Sequence, residues 1–259
     1  MSGPIAGLVE LLPALWWPFC RFVAALTVAP LLGEAMVPAR VRIGAALALA
    51  VAVQPALRGT PAIDPFSLYG VIVAFEQVVI GLVFGMALQL VMTVLSLLGF
   101  LVSSQMGLSM AVMNDPGNGS SSDVVSTLLY LLGALLFFAI DGHLVLVQIV
   151  HSSFVAWPVG GGVDAASLRA LAGGLGWAFS AAVLLALPAV FATFVVQVGF
   201  GLINRVAPAL NLFSLGFPLV TLFGLGTLSL LVRFVPEQYL RLTDQILKMI
   251  EAMLGGGRG

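Results

Sequence analysis

Three stretches of this chain contain no Asp, Glu, Lys or Arg: Gln77 to Asn114, Ala170 to Asn204, and Val206 to Val232. Each matches or exceeds the roughly 20 apolar residues needed to cross the hydrocarbon core of a bilayer. Charged residues make up 8% of the 259 positions, against about 25% in a soluble domain, a shortfall that a large core does not explain. The solvent for most of the chain is therefore lipid. There, every backbone N–H and C=O must find its partner within the protein, which leaves helices or closed barrels. Barrel strands read as runs of about ten residues that alternate apolar and polar, and Val71 to Leu101 and Ala178 to Val198 lack that alternation. The sequence predicts an all-α membrane protein of long helical hairpins, a single integral domain over residues 1–259.

The formal net charge is −1 and no polybasic tract occurs, so neither nucleic acid nor a headgroup-binding patch is expected as a partner. The lone Cys20 lies in an apolar segment, which excludes an internal disulfide and offers no metal spacing. Glu10 is present and no basic residue precedes Arg21. The basic start of a cleaved signal peptide is thus missing, and the N-terminus is expected to be retained and inserted.

Apolar runs, read against Pro, Gly and charge punctuation, give roughly six or seven helical segments. They fall at about Leu11 to Leu32, Val41 to Val53, two sharing Phe66 to Met113, then Val124 to Ile140, Leu144 to Trp157, Leu168 to Ile203 and Leu212 to Val232. A Gly/Ser-rich interval, Asn114 to Asp123, divides the first group from the second. Arg40 and Arg42 follow the first segment, and Arg233, Arg241 and Lys248 follow the last. The basic-loop bias places both regions in the cytoplasm and the N-terminus outside. Val41 to Val53 is short for a span, and Arg21 and Glu76 interrupt apolar runs, features that hairpins packed in a larger complex would explain. Gly81 with Gly85, and Gly99 with Ser103, are small residues at helical spacing that let backbones approach closely.

The C-terminal segment differs in kind. Pro236 suits a first helical turn, and Glu237, Arg241, Asp244, Lys248 and Glu251 form a charged stripe with acid-to-base pairs four apart. Leu240, Ile246, Leu247, Ile250, Met253 and Leu254 are expected on the opposite face, making an amphipathic helix at about 236–254 that lies on a partner or at the membrane surface.

Residues for enzyme chemistry are sparse. Asp141-Gly142-His143 with His151 fits no ligand spacing well, and Gly107-Leu108-Ser109 lacks the second glycine of a nucleophile elbow. No catalytic residue, cofactor or metal is expected. Intramembrane charges are functional candidates by default, which singles out Arg21 and Glu76, either buried against each other and polar backbone or serving transport. Glu34, Arg40 and Arg42 read as interfacial anchors, and Asn204-Arg205 as a turn between two hairpin arms. The most informative region is Gln105-Met106-Gly107-Leu108-Ser109-Met110-Ala111-Val112-Met113, which leads into Asn114-Asp115-Pro116-Gly117-Asn118-Gly119. Three adaptable Met side chains precede strong turn signals, as in a packed helix end or in a segment that can block an opening and withdraw.

Several strings, in order and over nearly the whole chain, resemble one family. They are Ala29-Pro30, Val37-Pro38-Ala39-Arg40-Val41-Arg42-Ile43-Gly44, Glu76-Gln77 with Gly81, Gln105-Met106-Gly107-Leu108-Ser109 followed by Asp115-Pro116, and Gly142-His143-Leu144. Gly201-Leu202-Ile203-Asn204-Arg205-Val206-Ala207-Pro208 with Phe213 and Gly216-Phe217-Pro218 complete the set. Together they resemble the FliR/SctT family of type III export apparatus proteins. The match departs at Asp141, where that family commonly carries Asn.

The resemblance implies a non-enzymatic core subunit of the flagellar protein export gate, in the bacterial inner membrane at the flagellar basal body. FliP-like and FliQ-like subunits would be its partners, with FlhB-like and FlhA-like components in contact and unfolded polypeptides as cargo. It also implies a pore plug at Met106, Gly107, Leu108, Ser109, Met110, Val112, Met113, Asn114, Asp115, Pro116 and Gly117, within a loop of about Met106 to Ser122. A virulence injectisome subunit of the same family is the neighbouring alternative. A small secondary transporter is the alternative from another class, although the paired broken helices such proteins show have no clear counterpart here.

Overall fold

The computed structural model describes residues 4–34, 37–57, 63–107, 123–206 and 216–256. Among them are eight α-helices and no strand: α1 (Pro4–Val28), α2 (Ala39–Val53), α3 (Leu68–Gln105), α4 (Val124–Ala139), α5 (Gly142–Ala156), α6 (Ala165–Val206), α7 (Phe217–Val232) and α8 (Val235–Gly256). The all-helical expectation holds. The main correction is α3, one continuous helix of 38 residues where two segments were expected within Phe66 to Met113. At 1.5 Å per residue it is about 57 Å long, nearly twice the roughly 30 Å hydrocarbon core. Two helices, α3 and α6, are each long and apolar enough to cross a membrane, and up to four spans result if the bent pairs α4–α5 and α7–α8 each count as one.

The chain divides into two compact units: Met1–Leu90, Phe137–Gly174 and Thr243–Gly259 form the first, and Val91–Leu136 with Leu175–Leu242 the second. In the first, α1 meets α3 at its small residues. A methyl group on Gly81 would run into the Arg21 carbonyl and the Ala24 side chain, and one on Gly85 into the Ala25 carbonyl, so the Gly81/Gly85 pair is a seam for close backbone approach within the chain. Trp17, Phe22, Ile80 and Phe84 are buried around that seam, with the Phe84 ring 5.3 Å from that of Trp157. In α2, Ala46, Ala50 and Val53 are buried at spacings of one helical turn. Arg42 turns back to donate to the Val37 carbonyl at 3.0 Å.

In the second unit the buried residues of α3 continue through Val94, Leu95, Leu98 and Val102 to Met106, with Leu129 of α4 and Leu228 of α7 also buried. Gly99 lies against the backbone of Val125 and Ser126, and Ser126 Oγ donates to the Ser96 carbonyl at 3.0 Å. In α6, Ala178, Ala182, Ala186 and Ala189 bury a stripe of small residues, while Phe179, Leu184, Phe191 and Phe194 stay exposed. Asp164 caps the start of α6 by accepting from the Ala166 and Ser167 amides. The Ser167 hydroxyl and these amides hold its carboxyl below the usual carboxylate range.

Two local readings need correction. Asn204 and Arg205 lie in the last turn of α6, not in a turn, where Arg205 complements the negative end of the helix. The C-terminal helix does carry the expected ion pairs, Arg241–Glu237 and Lys248–Asp244, each at 2.6 Å and exposed. Its apolar face, however, is shifted by one residue at its start: Tyr239, Leu242, Ile246, Ile250 and Met253 are buried, and Leu240 is exposed.

Candidate functional site

The first polar constellation surrounds Arg21, which is fully buried in the middle of α1. A buried cation needs acceptors for its whole fork of donors, and α3, α5 and the segment after α5 supply them. Nε donates to Gln77 Oε1 at 2.9 Å, Nη1 to Ser153 Oγ at 2.9 Å, and Nη2 to Gln77 Oε1 at 2.5 Å and to the Trp157 carbonyl at 3.0 Å. The guanidinium carbon also lies 3.9 Å from the centre of the Phe154 ring, within the range of a cation–π contact.

Glu76 is not in direct contact with Arg21. Its Oε1 accepts from Gln77 Nε2 and from the Gly160 amide, both at 3.2 Å. The Gln77 amide thus joins cation and anion, its oxygen turned to one and its nitrogen to the other. Gly160 has φ +80°, a left-handed conformation that glycine adopts without steric cost, and this turn aims its N–H at the carboxylate. Both sequence-predicted intramembrane charges are therefore brought into one network, joined through the Gln77 amide and polar backbone. Gln77, Ser153 and the Trp157 carbonyl were missed by sequence reading. Only the adjacency of Gln77 to Glu76 gave a signal.

The second constellation lies at the end of α3. The last carbonyls of a helix lack intrahelical donors, and here each finds one. The Met106 amide donates to the Val102 and Ser103 carbonyls and the Gly107 amide to that of Ser104. Gln197 Nε2 of α6 donates to the Gln105 carbonyl at 2.9 Å, and Thr221 Oγ1 of α7 to the Met106 carbonyl at 3.1 Å. Gly107 ends the helix at φ +75°, the left-handed stop that glycine favours.

Met106 is fully buried and sits against Gly224, where an added methyl would collide with its Cγ and come within 3.1 Å of its Sδ. Ser103 Oγ donates to Asp123 Oδ1, and Asp123, itself buried, accepts from the Ser126 amide at 3.2 Å to cap α4. The chain therefore leaves α3 at Gly107 and returns at Asp123, next to Ser103. Of the sequence-predicted site, Met106 and Gly107 belong to this base. Leu108, Ser109, Met110, Val112, Met113, Asn114, Asp115, Pro116 and Gly117 lie outside the described residues.

The departure at Asp141 has a conformational account. Asp141 adopts φ 55°, ψ 34° at the break before α5, a left-handed conformation for which Asn and Asp are the most tolerant non-glycine residues. Its carbonyl accepts the Leu144 and Val145 amides. His143 packs its ring 5.7 Å from that of Phe138.

The model of the bacterial export proteins, family 1, matches residues 12–246. The flagellar biosynthetic protein FliR of Pectobacterium carotovorum subsp. carotovorum is 33% identical over 242 residues, 92% of each chain. That of Escherichia coli K12 is 31% identical over 236 residues, 91% of this chain and 90% of its own. The Yop proteins translocation protein T of Yersinia pestis is 29% identical over 210 residues, 77% of this chain and 78% of its own.

Proposed function

The chain belongs to the bacterial export proteins, family 1, and from that premise we propose that it is an integral, non-enzymatic subunit of a flagellar type III protein export gate in the bacterial inner membrane. It assembles with FliP-like and FliQ-like subunits around the channel, contacts FlhB-like and FlhA-like components, and passes unfolded polypeptides. Residues 106–117 form its pore plug, and 1–259 act as one integral domain. The flagellar system is favoured over an injectisome by the flagellar relatives matched over about nine-tenths of the chain, against about three-quarters for the Yersinia pestis protein.

One observation supports the plug most directly: both ends of the stretch are tied down. The carbonyls at the end of α3 are held by Gln197 and Thr221 and the return is pinned by Ser103 and Asp123, and the sequence between them contains Met110, Met113 and Asp115-Pro116-Gly117. A pore wide enough for an extended polypeptide leaks ions unless it is closed, and large apolar side chains close it by excluding water. The test is deletion of Met110 to Gly119 in the assembled complex. Membrane permeability to small ions should rise with assembly intact, and replacing Met106, Met110 and Met113 by Ser should give a milder leak. A deletion that assembles and stays tight would refute the plug.

A further inference from the structure

The second constellation carries more than a helix end. Two helices distant in sequence each donate from a polar side chain to the carbonyls that close α3, those of Gln105 and of Met106 just after it. The third element of the arrangement is steric, because Gly224 makes room for Met106 and any side chain there would push it out. A helix C-terminus could instead be capped by Gly107 alone or by local Ser or Thr hydroxyls, and Ser104 Oγ is already engaged with the Leu101 carbonyl. Capture from α6 and α7 fixes the direction of the α3 end in a way that local capping does not.

We propose that Gln197, Thr221 and Gly224 are positioning residues that hold the end of α3, through Gly107, in a single orientation, so that α6 and α7 set the direction in which the backbone passes Gly107. Its consequence for channel closure rests on the plug reading above. The contacts that α6 and α7 make in this socket are neutral hydrogen bonds and the packing of one sulfur-bearing side chain. Met106 has three rotatable bonds and repacks easily. Such a joint is firm at rest and releasable as a unit, which a salt bridge in the same place would not be.

The experiment uses the assembled complex in proteoliposomes and two readouts: amide hydrogen exchange of the last α3 turn, through Gly107, and ion permeability. Thr221→Val keeps shape and removes the donor, Gln197→Leu removes the other, and Gly224→Ala fills the seat of Met106. Each should speed exchange of the last turn, the first two by about fivefold, the effect of one hydrogen bond of ordinary net strength. Thr221→Ser, which retains the hydroxyl, should exchange as the unmodified chain does. If exchange is unchanged in all three, the socket is refuted.

Permeability then separates the two claims. Accelerated exchange with a raised leak in the donor variants, absent in Thr221→Ser, supports the aiming role. Accelerated exchange without a leak, in a chain whose Met110 to Gly119 deletion does leak, overturns it. A deletion that stays tight overturns the plug reading, and exchange alone then decides the socket.

Discussion

Gln77→Leu is the most direct test of how the two buried charges are accommodated. Gln77 Oε1 accepts two of the donors of Arg21, and its Nε2 is one of two donors to Glu76 Oε1. Leucine of similar size cannot replace either function, and no water reaches Arg21, which is fully buried. If the three lost bonds behaved like neutral interhelical bonds in membrane proteins, at about 0.6 kcal/mol each, the loss would be about 2 kcal/mol. Breaking a buried ionic network by removing one member costs about 3–5 kcal/mol, because a charge is left unsatisfied. The second figure applies here, since Arg21 keeps only Ser153, the Trp157 carbonyl and the Phe154 ring.

Reversible unfolding in mixed micelles, followed by the emission of the buried Trp17 and Trp157, measures it. A paired control, Arg21→Met with Glu76→Gln, removes both charges at once and should be less destabilising than Gln77→Leu, as replacing a buried pair by apolar groups generally is. A loss of 2 kcal/mol or less for Gln77→Leu, or a double variant that is the worse of the two, would refute the relay through the amide.

Two further outcomes follow from local geometry. Asp141→Val should destabilise by about 1–2 kcal/mol, because a β-branched residue is strained at φ 55°, whereas Asp141→Asn should stay within about 0.5 kcal/mol; thermal midpoints of the two would distinguish conformation from chemistry at this position. In a Cys20→Ser background, Asp244→Cys should react with an impermeant thiol reagent from the cytoplasmic side only, since the Asp244 side chain is 60% exposed; labelling from the opposite side would overturn the topology taken from Arg40, Arg42, Arg233 and Arg241.

Short helices were the most legible part of the fold. The turn chemistry around them is strong, so Val124 to Ile140 and Leu144 to Trp157 are close to the observed α4 and α5. Long helices were less so, because Gly and Pro carry different costs in lipid. Gly in a helix is penalised partly for exposing backbone to water, and that part is absent where Gly81, Gly85 and Gly99 meet neighbouring backbone or side chains. They are contact points rather than breaks, and α3 runs through all three. Pro188 is likewise held inside α6, as membrane helices allow when neighbours satisfy the freed carbonyl.

The candidate site divides along the same physical line. Charges announce themselves against an apolar background, so Arg21 and Glu76 were visible, and methionines before a turn marked Met106. Their partners were not, because a neutral donor such as Thr221 or Gln197 is unremarkable in sequence and gains meaning only when the fold sets it beside a carbonyl that has lost its helical partner. Water would satisfy the Gln105 and Met106 carbonyls from any direction, whereas donors carried by α6 and α7 reach them from one side only. Such partners become legible only when the fold has set those two helices beside the end of α3.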